Sequence, residues 1–129
     1  IRDRSYHSLL LQEEKEAIET IVAAEYFFVK AERRYFKVSF SDILFIEGLK
    51  DYIKIYTEDA PKPILSLMSM KAMEELLPSS RFIRVHRSFI VQKDKIRVID
   101  RGRIVFDKTY IPISDSYKQV FQTFLDERS

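Results

Sequence analysis

From Tyr26 onward, apolar residues recur at a spacing of two, in short runs cut by charged or polar residues. Phe36, Val38 and Phe40 alternate with Lys37 and Ser39. Ile53 and Ile55 alternate with Tyr52, Lys54 and Tyr56. A strand turns successive side chains to opposite faces, so this period marks half-buried β-strands. The run Ile43–Ile46 is continuously apolar and reads as a buried strand, and Phe82–Val85 and Ser88–Val91 read as further strands. Further strands are expected at Phe27–Val29, Ile64–Leu67, Ile96–Ile99 and Arg103–Phe106. Ile111-Pro112-Ile113 forms a brief edge strand, since proline has no N–H for a ladder. Turns fall at Arg33-Arg34, Gly48–Asp51 and Arg101-Gly102. Without regular strand–helix alternation, the pattern implies a mainly β domain and argues against a doubly wound sheet.

Helical periodicity appears in three places, two within this pattern and one before it. Ser69 is placed to cap a short helix in which Met70, Met73, Leu76 and Leu77 share a face and Pro78 ends the run. Ser114 precedes a longer helix with Tyr117, Val120, Phe121, Phe124 and Leu125 at helical spacing. Residues 9–24 lack Gly and Pro, and Ala17, Ile18, Ile21 and Val22 fall on one side of a helix. The composition changes at Tyr26, so 1–25 reads as a helical linker or the tail of a preceding domain, and 26–129 as the folded unit. The opening Ile1 in place of Met fits a piece of a longer protein.

Several function classes fall to composition. The chain has 129 residues and no cysteine, which removes disulfides, thiolate nucleophiles and cysteine-bound zinc. With two histidines, His7 and His86, a multi-histidine metal site is excluded as well. Two glycines leave no phosphate-cradling loop, and no serine sits in a glycine elbow. No cofactor is expected, and no apolar run is long enough to span a bilayer. An enzyme is therefore not expected.

Charge is distributed unevenly. Residues 1–25 carry three cations against six anions, whereas 81–108 carry nine cations against three anions. A basic, aromatic-interleaved stretch suits a polyanion, with Arg84, Arg87 and Lys93 among the candidate phosphate contacts. The same residues could instead be the wet face of a sheet in a protein-interaction or dimerisation module. His86, between Arg84 and Arg87, reads as a neutral hydrogen-bonding residue. The C-terminal helix has only Lys118 and Arg128 as cations, so any reading of DNA falls to loops or strands.

The strings Asp42-Ile43-Leu44-Phe45-Ile46-Glu47-Gly48 and Asp51-Tyr52-Ile53-Lys54-Ile55-Tyr56 resemble the opening of a LytTR-type DNA-binding domain. So do Phe82-Ile83-Arg84-Val85-His86-Arg87-Ser88-Phe89-Ile90-Val91 and Ile111-Pro112-Ile113-Ser114, in family order and spacing. The resemblance implies an elongated arrangement of small β-sheets with two short helices. It also implies a bacterial, cytoplasmic transcription regulator whose N-terminal receiver domain is phosphorylated by a sensor histidine kinase. Pairs of such domains are expected to bind direct repeats in double-stranded DNA as homodimers, without membrane attachment. On this mapping the first DNA-facing loop carries Lys50 and Tyr52, with Lys54 beside it. The second carries His86, Arg87 and Ser88, with Arg84 adjacent. The third follows Ser114, where many relatives have an arginine and this chain has Asp115. The carboxylate suits the first turn of a helix, and Lys118, one turn on, is the candidate to take over the contact.

Overall fold

The computed structural model describes residues 25–128, and the helix expected over 9–24 lies outside them. Ten strands and two helices follow one another: β1 (Tyr26–Ala31), β2 (Arg34–Ser39), β3 (Ile43–Leu49), β4 (Tyr52–Thr57), β5 (Ile64–Ser66), α1 (Met70–Leu76), β6 (Phe82–His86), β7 (Phe89–Gln92), β8 (Val98–Asp100), β9 (Arg103–Phe106), β10 (Thr109–Pro112) and α2 (Asp115–Arg128). They form three antiparallel sheets, a β1–β2 ribbon, a five-stranded sheet ordered β5-β4-β3-β7-β6, and a three-stranded sheet ordered β10-β9-β8.

The five-stranded sheet lies between two cores, which explains the two hydrophobic patterns of its strands. Ile46, Ile53, Ile55, Phe82 and Ile90 face the first core, where the β1–β2 ribbon supplies Phe27, Val29 and Val38 and α1 supplies Met73. Phe45, Ile83, Val85 and Val91 face the second, with Ile104, Phe106 and Ile111 of the three-stranded sheet and Phe121 of α2. Strands β3, β6 and β7 send residues into both cores, so the neighbours Phe45-Ile46, Phe82-Ile83 and Ile90-Val91 are apolar without alternation. Strand β4 alternates, because Ile53 and Ile55 are fully buried while Tyr52, Lys54 and Tyr56 are half-buried at the margin of the second core, where Tyr56 stacks on Phe45 at 4.4 Å.

Local chemistry fixes the boundaries. The Ala72 N–H donates to Ser69 Oγ at 3.0 Å, the expected cap of α1, although Leu76 is exposed and Met73 with Leu77 does the burying. In α2, Phe121 is buried, but Val120 is turned to solvent. Gly48 and Leu49 continue β3, so the turn there is only Lys50-Asp51. The strand expected at Ile96–Ile99 starts later, because Lys93–Lys95 form a 3-10 turn and Ile96 drops into the second core. Gln92 is fully buried, and its amide donates to the carbonyls of Phe40 (2.8 Å) and Ile43 (2.6 Å), pinning the turn that leads into β3. Among the described residues no helix is long and apolar enough to cross a membrane.

Candidate nucleic-acid interface

Strand direction gathers three turns at one end of the five-stranded sheet. Strand β3 runs toward this end and turns at Lys50-Asp51, closed by the Leu49–Tyr52 pair. Strand β7 leaves the same end antiparallel to β3, with Phe89 opposite Glu47, so the β6–β7 turn at Arg87-Ser88 lies alongside. The Gly48 N–H donates to the Ser88 carbonyl at 2.8 Å and ties the two turns together. Gly48 is required by close approach, since a Cβ there would collide with the Met70 side chain of α1.

The third turn is docked through a bulge. Register between β6 and β7 slips between Arg84 and His86, leaving Val85 as the extra residue. The Val85 carbonyl accepts the Ser114 N–H at 3.0 Å, which sets the start of α2 beside the tip of β6. Ser114 and Asp115 thus join the other two turns.

Within this end the candidate residues divide into two groups. Lys50 and Arg87 are exposed, and neither side chain has an ion-pair partner among the described residues. Tyr52 and Lys54 are half-buried on the β4 face, with Lys54 opposite Glu47. Glu47 also accepts a hydrogen bond from Tyr56 Oη at 3.3 Å. Burial, followed by the charge and hydrogen bond of Glu47, pushes the Tyr56 hydroxyl above its ordinary pKa. Lys50, Arg87, Tyr52, Lys54 and Ser88 carry donors suited to a phosphate or a base edge.

Arg84 and His86 are engaged with their own turn. Arg84 Nε donates to the His86 carbonyl at 3.3 Å, and Nη2 donates to the Arg87 carbonyl. Its Nη1 meets Glu74 Oε1 of α1 at 2.9 Å, and the guanidinium lies 5.9 Å from the Tyr117 ring centre of α2. One side chain thereby joins the β6–β7 turn to both helices. His86 Nδ1 accepts the Ser88 N–H at 3.0 Å, while its ring meets Phe89 edge-on at 5.6 Å. The bond requires Nδ1 to be unprotonated, so in the neutral imidazole the proton sits on Nε2. The expected hydrogen-bonding role of His86 is thus met by the backbone of the turn.

At the third turn, Asp115 and Lys118 form an exposed i,i+3 ion pair at 2.8 Å. The hydrogen bond from Lys118, reinforced by its charge, holds the Asp115 carboxyl below its ordinary pKa. Asp115 opens α2, where the helix dipole also favours a carboxylate. Lys118 is therefore held by Asp115. Lys93 is not brought to this end at all. It follows the far end of β7, where Nζ donates to the Ser79 carbonyl at 3.1 Å and lies 5.5 Å from the Phe124 ring centre.

Sequence reasoning missed Glu74, Tyr117 and Gly48. The first two are remote in sequence from Arg84 and belong to no motif, whereas Gly48 is one of only two glycines and its place beside a turn masks the close approach of α1. Among the described residues no group of three or more His, Asp or Glu is placed to hold a metal.

Comparison with known proteins bears on this geometry directly. The family model for the LytTr DNA-binding domain matches residues 33–126. The fold is similar to that of a solved LytTr DNA-binding domain, described as part of a methyl-accepting/DNA response regulator from Bacillus cereus. The two share 27% sequence identity with a TM-score of 0.66, over 78% of this chain and 96% of that one. No curated protein sequence matches the chain. The family match runs from the tip of the first hairpin to the last turns of α2 and takes in all three gathered turns, so this chain belongs to the LytTR family of DNA-binding domains.

Proposed function

We propose that this domain binds double-stranded DNA in a sequence-specific manner and controls transcription as the output domain of a cytoplasmic bacterial response regulator. The convergence of the Lys50-Asp51, Arg87-Ser88 and Ser114-Asp115 turns at one sheet end carries this reading. Lys50, Tyr52 and Arg87 are the foremost contacts, with Ser88 and Lys54 beside them. Arg84 and His86 hold the second turn in shape. Turns gathered at one end of a sheet suit the grooves of a duplex, which admit protein elements to the base edges. Two domains on a direct repeat would place their turns on the same face of the DNA when the half-sites lie one helical turn apart. Phosphorylation of a receiver on the same chain, by a sensor histidine kinase, would favour that pairing.

Selection from a random duplex pool followed by sequencing tests this. Enrichment of two similar half-sites about one helical turn apart is expected. If each domain neutralises about five phosphates, affinity should fall about 300- to 500-fold between 50 and 200 mM salt. An Asp115→Arg variant should shift preference within the part of each half-site read by the third turn. Retention without enrichment would overturn specificity and leave phosphate binding alone. Absence of retention at low salt would overturn DNA binding in favour of a protein-interaction module.

A further inference from the structure

The outer face of the β1–β2 ribbon interleaves rings and cations one for one. Alternation sends Phe27, Val29 and Val38 into the first core and leaves Tyr26, Phe28, Lys30, Tyr35 and Lys37 outward. Lys37 stands opposite Phe28 and Tyr35 opposite Lys30. Each of these two rings therefore has one lysine across the ladder and another two residues along its own strand. Phe28 and Tyr35 are 59% and 68% exposed. Tyr26 supports the arrangement, since Lys37 Nζ lies 4.4 Å from its ring centre and its ring meets Phe28 edge-on at 5.8 Å.

Charge and ring spacing together select an occupant. Residues 26–39 carry Lys30, Arg33, Arg34 and Lys37 against Glu32 alone. None of the four cations has an ion-pair partner among the described residues. Lysine is depleted in protein–protein interfaces, and a second copy laid on this face would bring like charges together. A polyanion would instead neutralise them. Duplex DNA meets the charge but not the rings, because only its base edges are presented in the grooves. Phe28 and Tyr35 lie diagonally across the ladder, about 7–8 Å apart. Stacked bases repeat at about 3.4 Å, so neighbouring bases can lie on both rings only when splayed apart, as a single strand allows.

We propose that the outer face of the β1–β2 ribbon binds single-stranded nucleic acid, with adjacent bases on Phe28 and Tyr35 and their phosphates on Lys30 and Lys37. Ser66 Oγ on β5 donates to the Lys30 carbonyl at 2.8 Å, and Ser66 pairs with Ile53, next to Tyr52. The tip half of the ribbon thus lies toward the sheet end that bears the three turns. Its rings and lysines belong to none of those turns, so single-strand binding stands or falls apart from duplex binding.

Fluorescence anisotropy at low salt tests this, with the 1–129 chain and a labelled oligothymidylate or oligouridylate of about 12 nucleotides. Binding of at least one is expected, and the preferred sugar identifies the source as DNA or RNA. Phe28→Ala/Tyr35→Ala should weaken binding about tenfold or more, with the urea midpoint and the affinity for duplex DNA unchanged. Lys30→Gln/Lys37→Gln should flatten the slope of log affinity against log salt by about 1.4. Absence of binding at low salt would overturn the proposal and leave the face to a protein partner. Binding that survives loss of both rings would overturn it in favour of phosphate attraction alone. An equal loss of duplex affinity in the ring variant would overturn it by making the ribbon part of the duplex interface.

Discussion

Hairpin turns in this domain are built in two ways. At Glu32-Arg33 and Arg101-Gly102 both turn residues have positive φ, at 53° and 68° in the first and 53° and 73° in the second. Two residues of this hand match the right-handed twist of the flanking strands, so these turns close on local geometry alone. The turns at Lys50-Asp51 and Arg87-Ser88 contain no positive φ and lack that match. They are held by added bonds instead, the Arg87-Ser88 turn by the nearby His86 imidazole and Arg84 guanidinium, and the two turns to each other by the Gly48–Ser88 bond. Turns that face the proposed DNA thus depend on side-chain bonds and on each other, whereas the Glu32-Arg33 and Arg101-Gly102 turns take their shape from their own backbone. This arrangement frees the identities of Lys50, Asp51, Arg87 and Ser88 from the demands of turn formation. The cost is dependence on a few clamping side chains.

The largest expected effect comes from breaking that clamp. With its side chain 17% exposed and bonded to two carbonyls and a carboxylate, Arg84 contributes charge-assisted hydrogen bonds of about 1.5–3 kcal/mol. Arg84→Ala should lower stability to urea by about that amount and weaken DNA binding by about 10-fold or more. Arg84→Lys should fail to restore either, because an ammonium cannot reproduce the planar fork. Arg87→Ala provides the contrast. Stability should stay within about 0.5 kcal/mol, while the slope of log affinity against log salt falls by about 1. If Arg84→Ala also reduces that slope, Arg84 touches phosphate itself and the division between clamp and contact fails.

The same division separates what the sequence disclosed from what it withheld. Period-two runs, the Ser69 cap and the apolar stripe of α2 are set by neighbours a few residues apart, and these elements were legible. The positions of the Lys50-Asp51 and Arg87-Ser88 turns followed from the β3–β4 and β6–β7 patterns, whereas their assignment to DNA rests on the family resemblance alone. The roles of individual cations did not. Arg84 and Lys93 look alike in sequence, yet Arg84 reaches Glu74 and Tyr117 while Lys93 settles on Ser79 and Phe124 at the other end of β7. Those partners are assembled by sheet order and helix docking, which no local pattern encodes. Gln92 was hidden for the same reason, since its two carbonyl partners lie in the segment before β3. Val120 shows the converse limit, for helical spacing placed it on the apolar stripe although nothing in the tertiary packing covers it.

A smaller effect should appear where a turn is autonomous. Glu32 and Arg33 occupy the left-handed region without being glycine, at a cost of about 1 kcal/mol each relative to the residues that favour it. Replacing the pair with Asn-Gly should raise the unfolding midpoint by an amount equivalent to about 0.5–1 kcal/mol. Affinity for DNA should remain unchanged, because this turn carries its own geometry. A loss of affinity would show that the first hairpin also touches the duplex and would narrow the contrast drawn above.

The smallest expected effect concerns the third turn, where the residue placed toward the proposed DNA and the residue stabilising the helix are the same. Asp115 starts α2 and holds Lys118, so it belongs to both classes at once. Its carboxylate repels phosphates, whereas its loss would release Lys118 toward them. At high solvent exposure a single charge some 8 Å from a phosphate changes affinity by about twofold at low salt and less at physiological salt. Asp115→Asn should therefore bind DNA about twofold more tightly, with a salt slope steeper by up to about 1 as Lys118 is released. Acid cannot substitute for the mutation. Because Lys118 lowers the carboxyl pKa, the favourable pairing is present above the ordinary carboxylate range and is lost only as pH falls through the lowered value. The comparison therefore belongs at neutral pH, by titration of wild type and variant against the selected duplex at two salt concentrations. Weaker binding by the variant, with altered preference at a cytosine, would instead make Asp115 a base-reading acceptor.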